Sequence, residues 1–306
     1  MATPSEPTRG ADAAVRRRAG GTRQTRRAAP SRRSFTSTLK TLDALAASGA
    51  QVSVRVDDLD LGTEVLAGDD FTSVPIAGLG VVPLLIEVAA QFEAGTLNPL
   101  EIVERSALEP VTVSGLWRHL AAPALPLRDL AVLAAAAGDA LATNALLARV
   151  GLPAVRARIG ALGLSRSAMM DSFRDLRGPD DAPHVAVGSA REYARLFAAL
   201  VNADAVSAGV SAQVAEWLSL GQDLSLVAAA TGLDPFGHDD DEHGLLFVNK
   251  TGRARGIRAE AGVLAGPRAG VSYALLVGFD DLSIAHRLRA HDAFRVLGVE
   301  LMEYVF

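Results

Sequence analysis

The hydrophobic positions of this chain change period along its length, and each change marks an element. Phe35, Leu39, Leu42 and Leu45 recur at helical spacing and predict a helix over 35–47. Val52, Val54 and Val56 then alternate with polar residues, predicting a strand with one buried face. Turn residues over 57–62 and a return strand over 63–66 make a hairpin. Residues 75–89 are apolar on nearly every side, which suits only a helix enclosed by the rest of a domain. Gly78 and Gly80 each cost such a helix about 1 kcal/mol relative to Ala, and Pro83 about 3 if it falls beyond the first turn. The helix is therefore expected to begin late or to kink.

Further on, Ser114–Leu120 predicts a short helix in which Trp117 and His119 pack half-buried beside Leu116 and Leu120. Pro126 opens an Ala-rich helix over 127–137. Asp139 is placed to cap a helix over 141–150, and another helix covers 151–163. After a loop over 165–187, Ser189 with Glu192 three residues later reads as a capping box for a helix to 200. A helix over 209–220 comes next, then strands at 245–249, 263–264 and 271–278. A closing helix over 282–305 sets Ile284, Leu288 and Phe294 on its apolar side.

Composition narrows the classes. The 306 residues are 49% hydrophobic, enough for one large domain or two intimate lobes. Cysteine is absent, which excludes disulfides, thiolate metal sites and a Cys nucleophile. Of a net charge of −5, residues 1–33 carry a surplus of seven positive charges, nine Arg against Glu6 and Asp12, so the rest carries −12. An acidic body argues against a nucleic-acid function for the folded part and leaves nucleic acid only to the basic tail. That tail, with almost no large apolar residue, reads as disordered. Ser31-Arg32-Arg33-Ser34-Phe35 is similar to a twin-arginine export motif, but Lys40 and Asp43 interrupt the stretch after it, so the chain is read as cytoplasmic. No apolar run reaches 18 residues, so no membrane partner is expected.

Three stretches carry the candidate chemistry. Pro75-Ile76-Ala77-Gly78 through Val81 leads the buried helix; Gly138-Asp139-Ala140 with Asn144 opens a later one; Lys250-Thr251-Gly252-Arg253 comes directly after a strand ending in Asn249. In order and spacing they resemble the three motifs of the class A β-lactamases and penicillin-recognising serine hydrolases. The resemblance covers about residues 35–306. It implies an α/β (α+β) fold: an antiparallel sheet flanked by N- and C-terminal helices (residues 34–74 and 243–306) plus a helical lobe (75–242). It also implies a Ser-x-x-Lys pair at positions 78 and 81 and a Ser-x-Asn at 138 and 140. Here those four are Gly78, Val81, Gly138 and Ala140.

Only the Lys-Thr-Gly is intact. By resemblance, Lys250, Thr251, Gly252, Arg253 and Arg258 would bind a ligand carboxylate, and Asp139 and Asn144 would brace the neighbouring loop beside it. Backbone N–H groups of Gly78 and Arg253 would supply an oxyanion hole. The loop that should carry a water-activating Glu has none between 163 and 188. Its Asp171, Asp175, Asp180 and Asp181 read as solvated carboxylates. The expectation is a pseudoenzyme without a cofactor that binds a small carboxylate or peptide-like ligand. The alternatives are a hydrolase with residual or relocated activity through Ser73, Thr72 or Ser114, and a scaffold whose tail binds nucleic acid. His238 to His243, two His around four carboxylates, could be named a metal site, but consecutive residues seldom converge on one ion, so none is expected.

Overall fold

The computed structural model describes residues 35–238 and 244–306. Helix α1 (Thr36–Ala47) leads into strands β1 (Gln51–Asp58) and β2 (Glu64–Gly68). A two-residue strand β3 (Val74–Pro75) precedes a single 3₁₀ turn (Ala77–Val81) and helix α2 (Val82–Glu93). Strands β4 (Ile102–Glu104) and β5 (Ala124–Pro126) pair with each other and precede α3 (Leu127–Ala136), α4 (Ala140–Val150) and α5 (Leu152–Ala161). Short strands β6 (Ala168–Met169) and β7 (Ala186–Gly188) pair beside β3. Helices α6 (Ala190–Val201) and α7 (Ala208–Ser219), strands β8 (Leu246–Ala254), β9 (Ile257–Ala265) and β10 (Gly270–Gly278), and helix α8 (Ile284–Val305) complete the chain.

The main sheet runs β2-β1-β10-β9-β8, antiparallel throughout. Its two faces bury separate cores. Val54, Val56, Leu264, Val271 and Leu275 pack against Leu42 and Leu45 of α1 and Phe294, Leu297 and Leu301 of α8. The opposite face, with Val248, Ala259, Ala261, Val263 and Leu276, joins the larger core of the helical lobe. Each fully buried Leu or Phe contributes about 1.5–3 kcal/mol. These residues therefore fix which face of each helix meets the sheet.

The late helix start holds. The α-helical stretch begins at Val82, Pro83 takes a first-turn position where no N–H is needed, and the glycines fall in the 3₁₀ turn. Asp139 caps α4 by accepting from the Ala142 N–H, and Ser189 caps α6. Other expectations are corrected. Strand β1 is covered on both faces, with Ser53 and Arg55 buried; Arg55 is neutralised by Asp57, Glu64 and Asp70. The stretch 114–120 forms only a three-residue turn, with Trp117 fully buried and His119, Leu116 and Leu120 exposed. The Trp117 indole N–H reaches the Ala122 carbonyl at 3.2 Å, which holds the turn without a longer helix. On α8, Ile284 and Leu288 face solvent while His286, Ala290 and Ala293 join Phe294 inside, on the face that packs against α1, the turn at 227–230 and the sheet.

The tail and Asp239–His243 lie outside the described residues. Of the histidine-flanked loop only His238 is described; it is buried, with Nδ1 3.1 Å from the Asp234 carbonyl. Among the described residues no group of three metal-ligating side chains converges, and no helix is long and apolar enough to cross a membrane.

Candidate functional site

The three sequence stretches meet at one cavity of about 140 Å³. Gly78 and Val81 enter from the 3₁₀ turn, Gly138 from the loop before α4, and Lys250, Thr251 and Arg253 from β8. Ala134, Ala136 and Ala137, at the end of α3, leave the room; longer side chains there would fill it. Two glycines are dictated by geometry. Gly138 has φ +59°, in the left-handed region that glycine tolerates best. A Cβ on Gly252 would stand 1.9 Å from the Ile76 carbonyl oxygen, so β8 can lie this close to the 3₁₀ turn only with glycine at that point.

Lys250 is 6% exposed, and among the described residues its Nζ meets only the Thr251 carbonyl, at 3.5 Å. Burial pushes its pKa down to about 8, with Asp223 pulling the other way. Lys40 and Lys250 are the two lysines of the chain, all its other cationic side chains being Arg or His.

Asp223 is a site residue that the sequence did not disclose. It precedes β8 by more than twenty positions, in a loop with no motif around it. Its carboxylate accepts from Thr251 Oγ1 at 2.7 Å, from Ser225 Oγ at 2.6 Å and from Arg253 at 3.0 Å. Burial raises the Asp223 pKa, but the Ser225 bond, the Arg253 charge and Thr251 together bring it below the usual carboxylate range. Arg253 also bonds Ser225 Oγ. Thr143 and Phe173 complete the lining and were likewise unforeseen.

The remaining predicted residues stand behind the cavity. Asp139, 1% exposed, receives the N–H groups of Leu116, Trp117 and Ala142, so its acceptors are spent holding two backbone segments. Asn144 clasps Phe173 through both its amide nitrogen and its oxygen, at 2.9 and 2.8 Å, and so sets the Phe173 ring at the cavity edge. Ala140 is fully buried in the first turn of α4. Arg258, in register with Arg253, is held by His291, Ala254 and Ile257 and points over the Phe279 ring, away from the lining. Three of the four loop carboxylates are engaged rather than merely solvated: Asp171 pairs with Arg174 and Arg177, Asp181 with Arg174, and Asp175 bonds Thr112, while Asp180 is exposed as expected.

Of the hydroxyl candidates, Ser114 lines the cavity and donates to the Gly138 carbonyl at 2.8 Å. Ser73 donates to the Arg166 carbonyl at 2.7 Å instead, and neither it nor Thr72 lines the cavity.

A sheet sandwiched between terminal helices and a helical lobe, with Lys-Thr-Gly on the strand edging the cavity, defines the penicillin-recognising class of fold. The family comparison agrees: residues 34–305 match the model of the Beta-lactamase enzyme family, and the chain belongs to that family. A β-lactamase from Sphaerobacter thermophilus is similar at 20% identity, over 89% of this chain and 98% of its own, with TM-score 0.76. The chromosome-encoded β-lactamase of Vibrio parahaemolyticus is 14% identical over 89% and 98%, with TM-score 0.72. A mutant of PBP-A, solved as an acyl-enzyme complex with penicillin G, is 16% identical over 90% and 100%, with TM-score 0.69. No curated protein matches the chain in sequence.

Proposed function

We infer that this chain is a non-catalytic ligand-binding or regulatory member of its family, with a cavity suited to a small carboxylate or peptide-like ligand. The observation that carries this reading is the company Lys250 keeps: Gly78, Val81 and Gly138 line the same cavity. Acyl transfer needs a nucleophile beside a base. Gly78 offers no hydroxyl, Val81 no amine and Gly138 no proton relay. What remains is cationic and positional: the ammonium of Lys250, the Arg253 guanidinium, and the backbone of Gly78 and Arg253. Such groups hold an anion without turning it over. The likeness to a PBP-A mutant captured with penicillin G supports a β-lactam-shaped or peptide-like ligand.

The test is thermal stabilisation of the purified full chain by a panel of β-lactams and acyl-D-Ala-type peptides, alongside turnover of a chromogenic β-lactam. A rise in Tm without turnover, lost in Lys250→Ala, is expected. Steady hydrolysis by the wild-type chain would overturn the reading.

The second reading, relocated hydrolysis, has one observation in its favour, the presence of Ser114 in the cavity lining. Its hydroxyl is bonded to a carbonyl rather than to a base, which gives no activation. Turnover abolished by Ser114→Ala would favour it.

A further inference from the structure

A second and larger cavity, about 740 Å³, opens between the end of α5, the 163–166 turn, α6 and the 204–206 segment. It shares no lining residue with the cavity around Lys250. Its volume falls in the range of small-molecule sites. Arg158, Arg166, Arg191 and Arg195 line it against two carboxylates, Glu192 and Asp204, a surplus of two positive charges on a chain whose net charge is −5.

Two of these arginines have structural employment. Arg158 pairs through Nε with Glu87 at 2.7 Å, and Arg191 clasps Asp70 at 2.8 and 3.1 Å while lying 3.6 Å above the Phe71 ring. The other two do not. The side chains of Arg166 and Arg195 are exposed and make no hydrogen bond or ion pair among the described residues. Nor does Glu192 serve them, because its carboxylate turns to the hydroxyls of Ser165 and Ser167 and to the Arg166 N–H.

Arg191 and Arg195 stand at i and i+4 on α6, so both open on the same side of the helix toward the groove. Arg166 is carried on a backbone fixed at both ends: its N–H donates to Glu192 at 2.8 Å and its carbonyl accepts from Ser73 Oγ at 2.7 Å. The free guanidiniums therefore rise from an anchored turn and a helix rather than from a loose loop. Beneath them Leu164 and Leu196 form a buried apolar floor, and Phe71, 57% exposed, forms a wall. A guanidinium presents a planar fork of donors that matches phosphate and carboxylate oxygens.

We propose that this groove is a second binding site, separate from the cavity around Lys250, that takes a small organic anion: a phosphate or carboxylate group on an aromatic or aliphatic body. The headgroup is received by Arg166 and Arg195, with Arg158 and Arg191 adding field, and the body lies on Leu164, Leu196 and Phe71. No bond is made or broken there.

The experiment is titration calorimetry on the full chain with phenyl phosphate, benzoate, inorganic phosphate and phenol, repeated at raised salt. One site for phenyl phosphate or benzoate that persists in Lys250→Ala is expected, weakened by salt, with inorganic phosphate weaker and phenol silent. The tighter of the first two identifies the headgroup. Arg166→Ala with Arg195→Ala should lose about tenfold in affinity or more. Its melting temperature should be unchanged, since both side chains are exposed and unbonded. Binding should survive Lys250→Ala, which separates this groove from the cavity. Unaltered affinity in the double variant, loss of binding in Lys250→Ala, or no binding by either aromatic anion at millimolar concentration would overturn the proposal.

Discussion

Thr251 Oγ1 and the Asp223 carboxylate are joined by a hydrogen bond of 2.7 Å that ties the Lys-Thr-Gly strand to a loop more than twenty residues upstream. The same carboxylate holds Arg253 and Ser225, so it organises the cavity mouth while remaining the acid whose charge supports Lys250. Asp223→Ala is expected to cost about 1–3 kcal/mol, since several donors lose their acceptor at once. It should also lower the Lys250 pKa below its value of about 8. Urea titration checks the first effect, and ¹⁵N-lysine NMR across pH checks the second.

Gly252 and Gly160 make a matched pair. A methyl group at Gly252 has to displace the Ile76 carbonyl, a backbone atom that cannot swing aside. Gly252→Ala should lose about 3 kcal/mol or more and enlarge or collapse the cavity. Gly160 sits in α5 with nothing within 4 Å of a built Cβ. Gly160→Ala should gain about 0.5–1 kcal/mol. The two melting curves, moving in opposite directions, check the argument.

Two buried groups give stability opposite slopes with pH. Glu260 lies fully buried, receiving Asn249, Tyr273 and the Val227 N–H, yet burial outweighs these bonds and raises its pKa to about 7. Because its folded pKa exceeds the ordinary carboxylate value, the folded chain binds the extra proton. Its contribution is complete below about pH 4.5 and is lost as pH rises to about 7. Lys250 runs the other way: with a folded pKa of about 8 it costs stability while charged, and that cost fades from about pH 8 to 10.5. Chemical denaturation at a series of pH values should show both slopes. Glu260→Gln should remove the first and lower stability overall, because an amide turns one of its donors toward another donor. Lys250→Met should remove the second and stabilise the fold at pH 7 by about 1–3 kcal/mol, at the expense of ligand binding.

Restoring the motif tests what the cavity still permits. A Cβ on Gly78 would meet the Thr251 carbonyl at 3.4 Å, at the edge of ordinary contact, so a β-carbon is accepted there. Gly78→Ser with Val81→Lys should form an acyl adduct with a β-lactam slowly, seen as a mass increase of the intact protein. Release should be slow, since Asp171, Asp175 and Asp181 of the 165–187 loop are held by Arg174, Arg177 and Thr112 and no carboxylate of that loop lines the cavity. Fast turnover by this variant would contradict that account of the loop.

The order of elements was legible because period, caps and breakers are local. Pro83 with two glycines foretold the late start of α2, and Asp139 its capping of α4. What escaped was non-local. Ile284 and Leu288 are large and apolar, but the inner face of α8 is set by what it packs on, α1, the turn at 227–230 and the sheet, and that face carries His286, Ala290 and Ala293. The three motif stretches could be placed together by their order, yet Asp223 and Phe173 arrive at the cavity only through long-range pairing with Thr251 and Asn144. No spacing in the chain announces such partners. Arg258 shows the converse: near the motif in sequence, it is drawn off by His291 and Phe279.

The scarcity of lysine has a practical consequence. With Lys40 on the surface and Lys250 within the cavity, a lysine-selective isotope label places one silent reference and one reporter in the whole molecule. The protein thus comes already wired for watching its pocket fill, with no engineered probe.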